Sequence, residues 1–187
     1  MGLILIMKTR HPETEAANHP RAAVQNSDMR REIVDWLKDA YAMERGMETS
    51  LEKQAGNEDL SPKVRNRARV HLEETRRHAE QIRTALKSLG ETVSTLKTTL
   101  GIMGEASKGI ASAFAHDERI KDILNAYSME HFEIACYLAL ITAAENAGLT
   151  EIADICRGIL PEEERMANTL RQSLPDEISL YLTTAKA

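Results

Sequence analysis

Four long segments carry apolar residues at helical spacing, and the unequal links between them constrain the fold most strongly. The segments run from about 28 to 54, 61 to 90, 117 to 148 and 150 to 173. Ser61 and Pro62 are typical of a helix start, and Gly90 and Gly148 of a helix end. The first and last links are short and predict antiparallel hairpins, whereas residues 91–116 separate the hairpins. This pattern predicts an all-α, ferritin-like four-helix bundle in which a long crossover joins two hairpins.

The composition agrees with a helical protein and suggests how the chain is divided. Glycine (9) and proline (5) are scarce, which disfavours a β-sandwich or barrel with many turns. We expect a flexible arm at residues 1–26, the bundle at 27–174, and a tail at 175–187 that begins at Pro175. The crossover contains one amphipathic stretch near residues 102–114, where we expect a short helix.

Charge and cysteine content exclude several classes of function. Lysine and arginine (24) are outnumbered by aspartate and glutamate (29), so we expect no binding to nucleic acid or to anionic membranes. No apolar run is long enough to span a bilayer, and the first residues do not resemble a signal peptide, which together predict a cytoplasmic protein. Cys136 and Cys156 are too few for a disulfide scaffold and are expected to be reduced core residues.

Each segment also carries a glutamate within or at the edge of its apolar stripe, close to the middle of the segment. These residues are Glu44, Glu74, Glu130 and Glu163. Antiparallel pairing brings all four to one level of the bundle, where desolvation and mutual repulsion would be costly. The carboxylates could share protons, pair with arginine, or bind cations, and two divalent metal ions would balance four negative charges. Around Glu44 and Glu130, the sequences 39–44 and 125–130 are identical at four of six positions, which suggests a pseudo-twofold pair of hairpins.

Three further residues are candidates for the same site. His71 and His78 lie on the stripe of the second segment, and His78 is the better candidate ligand. His71 could bind metal or orient Glu74. Glu133 lies one helical turn after Glu130 and is either an additional ligand or a surface charge. Glu162 is expected to face solvent, and Tyr41 and Tyr127 either hydrogen-bond the carboxylates or fill the core.

Residues 31–171 resemble the YciE/YciF family of stress-associated ferritin-like bacterial proteins. The resemblance is carried by four segments, LKDAYAME (37–44), HLEET (71–75), EHFEIACY (130–137) and LPEEE (160–164). It implies a ferritin-like bundle, a homodimer, and a di-iron or mixed-metal carboxylate site with ligands at Glu44, Glu74, Glu130 and Glu163. The ferritin-like Glu-x-x-His motifs are incomplete, since position 77 is arginine and position 166 is methionine.

The sequence is compatible with two main functions of different classes. The first is a dimetal protein with two Fe per chain, or Mn, which reacts with O2 or peroxide as an oxidase or peroxidase type of enzyme in the stress response. The second is a non-enzymatic scaffold or interaction protein with a degenerate or empty metal site, as the incomplete motifs suggest. Iron storage in a hollow shell is a third possibility.

Overall fold

The computed structural model describes the backbone of residues 20–93 and 118–184 and the side chains of 27–93 and 120–184. Four helices account for nearly all of these residues, and the described ranges contain no β-strand. The helices are α1 (Pro20–Gly56), α2 (Pro62–Ser88), α3 (Glu118–Asn146) and α4 (Thr150–Thr184). This arrangement confirms the predicted all-α four-helix bundle. The expected short helix near 102–114 lies outside the described residues.

The local sequence signals define the ends of α2 and α3. The Ser61 hydroxyl accepts a hydrogen bond from the Val64 N–H and caps α2, and Pro62 occupies the first turn. Gly90 and Gly148 have φ angles of 81° and 70°, which glycine adopts without steric cost. After each glycine, the next N–H bonds back across the last turn, from Glu91 to the Leu86 carbonyl and from Leu149 to the Ala144 carbonyl.

Ion pairs fix the relative directions of the helices. Lys38 of α1 binds Glu91, just beyond the end of α2, with its Nζ atom 2.9 Å from the carboxylate. Near the other end of α1, Lys53 lies 2.9 Å from Asp122 in the first turns of α3. Arg30 also donates a hydrogen bond to the Leu89 carbonyl, so the first half of α1 is beside the end of α2, and the end of α1 is beside the start of α3. Residues 94–117 therefore connect opposite ends of the bundle.

Two apolar clusters fill the bundle, one on each side of a polar layer. The first cluster includes Leu37, Leu86, Leu140 and Ile152, together with the buried Cys156. The second cluster is formed by a different set of residues from the same four helices, among them Leu51, Val64, Ala126 and Leu170. Because apolar packing holds the helices together above and below the polar layer, its side chains are kept in the interior.

Two expected boundaries are wrong. The arm was expected to reach residue 26, but α1 begins at Pro20, because proline is favourable in a first turn and no glycine or proline interrupts residues 21–26. The last helix was expected to end before Pro175, but α4 continues to Thr184. Proline removes one helical hydrogen bond, and contacts beyond it compensate, since Glu177 is fully buried and binds the Ser61 N–H. Residues 185–187 of the expected tail lie outside the described ranges.

Candidate metal centre

Six buried acidic and histidine side chains meet in the polar layer between the two apolar clusters. Each is at most 1% exposed, and all four helices contribute: Glu44 from α1, His71 and His78 from α2, Glu130 and Glu133 from α3, and Glu163 from α4. All six are candidates from the sequence. The structure brings Glu44, His78, Glu130, Glu133 and Glu163 together, and it adds His71 to the same cluster.

The cluster divides into two groups of side chains that share one carboxylate. The first group contains His71, Glu130, Glu133 and Glu163, and the second contains Glu44, His78 and Glu163. Within each group, one donor atom from every residue lies within 4.8 Å of the others. Glu163 belongs to both groups and can bridge them. The arrangement offers ligand atoms at two neighbouring positions.

The short distances in the cluster join imidazole nitrogens to carboxylate oxygens. The Nε2 atom of His71 lies 3.2 Å from Glu130 Oε2 and 3.1 Å from Glu163 Oε2. The Nδ1 atom of His78 lies 2.8 Å from Glu163 Oε1 and 3.5 Å from Glu44 Oε2. Each histidine therefore directs one ring nitrogen at the carboxylates of its group.

The fit of these residues to metal ions is tested by their unsatisfied atoms. Eight buried side-chain atoms of the cluster, on all six residues, make no hydrogen bond of good geometry, although the ring nitrogens of His71 and His78 lie close to carboxylate oxygens. Buried polar atoms are normally paired, because an unpaired one costs about 1–3 kcal/mol. Carboxylate oxygens and neutral imidazole nitrogens are ligands for Fe, Mn and Zn. The buried carboxylate oxygens and ring nitrogens of the cluster therefore fit divalent cations as ligands.

Two further glutamates hold the opposite nitrogens of the histidine rings. Glu74 Oε2 lies 2.9 Å from His71 Nδ1 and also accepts a hydrogen bond from Arg67 at 2.5 Å. Glu162 Oε2 lies 2.8 Å from His78 Nε2 and 3.0 Å from Arg77. A carboxylate behind a ligating histidine fixes the ring orientation and the tautomer. Each group of candidate ligands thus has one oriented histidine.

These contacts change two expectations. Glu74 was expected to be a ligand, but the structure does not bring its carboxylate into either group, because Arg67 and His71 engage both of its oxygens. Glu133, which the sequence left open as a ligand or a surface charge, is in the first group instead. Glu162 was expected to be solvated, but its side chain is only 24% exposed because it contacts His78. Spacing on one helix cannot reveal the contact between Glu162 and His78, since it joins α4 to α2.

Tyr137 supplies a hydrogen bond that the sequence did not indicate. Its hydroxyl donates to Glu44 Oε1, and its side chain is fully buried. Burial and the nearby negative charge of Glu44 raise the pKa of Tyr137 well above its ordinary value, so the hydroxyl keeps its proton. Tyr41 and Tyr127 instead pack at the edges of the apolar clusters. Tyr127 also lies edge-on to the ring of His131.

The charges in the cluster are strongly coupled. Burial opposes a charged imidazole, but the surrounding carboxylates raise the pKa of His71 to about 12 and that of His78 to about 10. Burial also raises the pKa of Glu130 to about 7 and that of Glu133 well above its ordinary value. Without metal, the cluster therefore holds protons that a divalent cation would displace.

Comparison with solved structures identifies the class of fold as a ferritin-like four-helix bundle. A dodecameric thioferritin from Bacteroides fragilis superimposes with a TM-score of 0.65, and the alignment covers 87% of this chain and 98% of that one. Its sequence identity is 18%, so the likeness concerns the fold alone. A protein of Xanthomonas campestris gives a TM-score of 0.72 at 31% identity, with 86% of this chain and 99% of that chain covered.

The sequence places the chain in a particular family within this class. Residues 29–183 match the family described as domain of unknown function DUF892, so the chain belongs to that family. Protein YciF of Escherichia coli K12 is 31% identical over 139 residues, which cover 71% of this chain and 81% of YciF. The crystal structure of YciF, described as a stress protein, superimposes with a TM-score of 0.64 over 81% of this chain and 97% of that one. These matches confirm the family resemblance of the sequence.

Proposed function

We propose that this protein is a ferritin-like dimetal carboxylate protein of the bacterial stress response. The observation that carries the proposal is the convergence of buried carboxylate oxygens and ring nitrogens from Glu44, His71, His78, Glu130, Glu133 and Glu163 in two groups that share Glu163. Four of these residues are carboxylates, so two divalent cations would balance their charge. Oxygen-rich sites with few nitrogens suit Fe and Mn, which makes two Fe or two Mn per chain the proposed content.

The proposed ligands are not equally distributed between the two metal ions. One ion would be held by His71, Glu130 and Glu133, the other by Glu44 and His78, and Glu163 would bridge them. Bound Fe(II) would supply electrons for the reduction of O2 or peroxide. Tyr137 would hold Glu44 in place through its hydroxyl, and the two apolar clusters would limit the entry of water.

The proposal is tested by the metal content of protein purified without chelators or affinity metal. We expect about two Fe or Mn per chain by elemental analysis and, for iron, peroxide-dependent oxidation of Fe(II). The variant Glu163→Ala removes the shared carboxylate and is expected to lower the content of both metal ions. Glu164→Ala is the matched control, because Glu164 is exposed beside it. A content near zero after anaerobic reconstitution with Fe(II) would contradict the proposal.

A scaffold or interaction protein without metal chemistry is the second candidate function. The observation that favours it is the proximity of His71 and His78 to the carboxylates, since two imidazolium ions already offset part of the negative charge. This candidate predicts the same melting temperature with EDTA and with excess Fe(II). A metal that binds only the folded state would add about 2.7 kcal/mol at a hundredfold excess over Kd.

We also propose a cytoplasmic homodimer. Both cysteines are free thiols, as expected in a reducing compartment, and no helix in the described residues is long and apolar enough to cross a membrane. The dodecameric thioferritin shares too little sequence to transfer its assembly to this chain. Light scattering distinguishes the dimer from a hollow iron-storage shell, because a shell contains many more chains.

A further inference from the structure

An apolar cavity opens between α1 and α3, close to the candidate metal centre but separate from it. Its volume is about 350 Å³, within the range of small-molecule sites. The lining residues used below are Trp36, Asp39, Phe132 and Cys136, and the other four are small or apolar. Of the lining residues, Ala40 precedes Glu44 by one helical turn, and Cys136 follows Glu133 by about one turn. Two other lining residues, Met43 and Phe132, directly precede Glu44 and Glu133, so the cavity reaches the level of the metal centre along both helices.

Two aromatic rings at the cavity are unusually accessible. Trp36 is 42% exposed and Phe132 is 50% exposed. Burying apolar side chains of this size normally stabilises the folded protein. Each ring has a negative face, and tryptophan attracts cations most strongly among the aromatic residues. The two rings thus offer a surface for an organic cation as well as for an apolar group.

Asp39 is the one charged residue in the cavity lining. It forms no ion pair with any side chain that the structure describes, and neighbouring Lys38 is held by Glu91. Partial burial and the negative charge of Asp35 raise the pKa of Asp39. Burial and the negative charge of Asp39 together raise the pKa of the Cys136 thiol in the cavity wall, so the charge acts within the cavity. A positive group at this position would therefore gain electrostatic energy.

We propose that this cavity binds a small organic cation with an apolar body, such as an arylalkylammonium or alkylammonium ion. The ammonium group would contact Asp39 and the faces of the aromatic rings, while the body would fill the apolar interior. Charge complementarity selects this ligand, because the lining contains an unpaired carboxylate and no lysine or arginine. The proposal does not depend on the bound metal and remains testable if the metal centre is empty.

The experiment uses the tryptophan fluorescence of the full chain, since Trp36 is its single tryptophan and lines the cavity. Phenethylammonium is the probe, and phenethyl alcohol and phenylpropionate are the neutral and anionic comparisons. We expect a saturable change with phenethylammonium, both with and without added Mn(II). Phenethyl alcohol and phenylpropionate are expected to bind more weakly.

Asp39→Asn tests the charge contact without changing the size of the side chain. Because Asp39 is exposed and its contact is screened by solvent, we expect binding of phenethylammonium to weaken about two- to fivefold. Asp59→Asn is the matched control, since Asp59 is exposed in the link between α1 and α2 and does not line the cavity. It is expected to bind as the unchanged protein does.

Three results would overturn the proposal. One is the lack of a saturable response to phenethylammonium, and another is equally tight binding of phenylpropionate. The third is strong protection of Trp36 from acrylamide quenching before any probe is added, which would mean that protein already fills the cavity. Loss of this protection on dilution would identify a second copy as the occupant, and protection independent of dilution would identify another part of the same chain.

Discussion

His71 contacts carboxylates on both sides of its ring, and the two sides have different roles. Its Nε2 atom faces Glu130 and Glu163, which belong to the groups of candidate ligands, whereas its Nδ1 atom faces Glu74. Although burial opposes ionisation, hydrogen bonds from His71 and Arg67 hold the pKa of Glu74 at about 2. Glu74 is therefore charged and fixed in place, and it can orient His71 without occupying a metal coordination position.

Replacing Glu74 with alanine is expected to weaken metal binding without abolishing it. Loss of a carboxylate behind a ligating histidine typically lowers metal affinity about 10–100-fold. Competition titration with Mn(II) measures the affinity and the number of bound ions. Glu73→Ala is the control, because Glu73 is exposed and pairs with Arg76 at the surface. Loss of one bound ion in Glu74→Ala would instead show that Glu74 is itself a ligand.

Sequence spacing could predict which side chains enter the polar layer but not how they divide their roles. Glu44, Glu130 and Glu163 lie within apolar stripes, so helical periodicity places them inside the bundle. Glu74 lies at the edge of the apolar stripe of α2, where its carboxylate forms an ion pair with Arg67, two turns earlier in the same helix. The roles of Tyr137 and Glu162 depend on contacts between different helices, and a pattern within one helix does not contain that information.

At the scale of the helices, the last part of α4 supports the beginning of α2. The carboxylate oxygens of Glu177 lie 3.1 and 3.4 Å from the Ser61 N–H, at the capping residue of α2. A negative charge at a helix N-terminus is also favourable for the helix dipole. The sequence predicted the start of α2 from Ser61 and Pro62, but proline at 175 gave a misleading end for α4. Tertiary contacts of Glu177 outweigh the local effect of the proline.

Glu177→Ala is expected to destabilise the fold by about 1–3 kcal/mol, because it removes a fully buried side chain and the acceptor of the half-buried Ser61 N–H. Thermal and urea denaturation measure the change, and about 1 kcal/mol lowers the melting temperature by roughly 2–4 °C for a chain of this size. Asp176→Ala is the control, since Asp176 is the exposed neighbour. Equal stability of the two variants would show that the contact between Glu177 and Ser61 does not hold the two helices together.

At the scale of the whole molecule, burying the charged cluster costs free energy of folding. The apolar clusters on either side supply the driving force for folding, while the buried carboxylates and imidazoles oppose it unless their charges are balanced. In the metal-free protein, protons provide this balance. The folded chain therefore binds more protons near neutral pH than the unfolded chain does, which links folding stability to pH.

The direction of this dependence follows from the pKa shifts. His71 and His78 have pKa values of about 12 and 10 in the folded protein, above the ordinary value of 6.5 expected on unfolding. Their contribution to stability is fully present below pH 6.5 and is lost as the pH rises through the folded values. Glu130, whose pKa is raised to about 7, acts in the same direction between pH 4.5 and 7. The lowered pKa values of Glu74 and Glu163 have no effect above about pH 6, since both groups are then ionised in the folded and in the unfolded chain.

The metal-free protein should therefore lose stability as the pH rises from 6 to 9. Each additional proton bound by the folded state corresponds to about 1.4 kcal/mol per pH unit. Urea denaturation in the presence of EDTA measures the slope, and His78→Gln should reduce it. With saturating Mn(II), the slope should be shallower or reversed, because metal replaces the protons and binds more tightly as the pH rises. A metal-free slope near zero would mean that the cluster is not balanced by protons on its histidines.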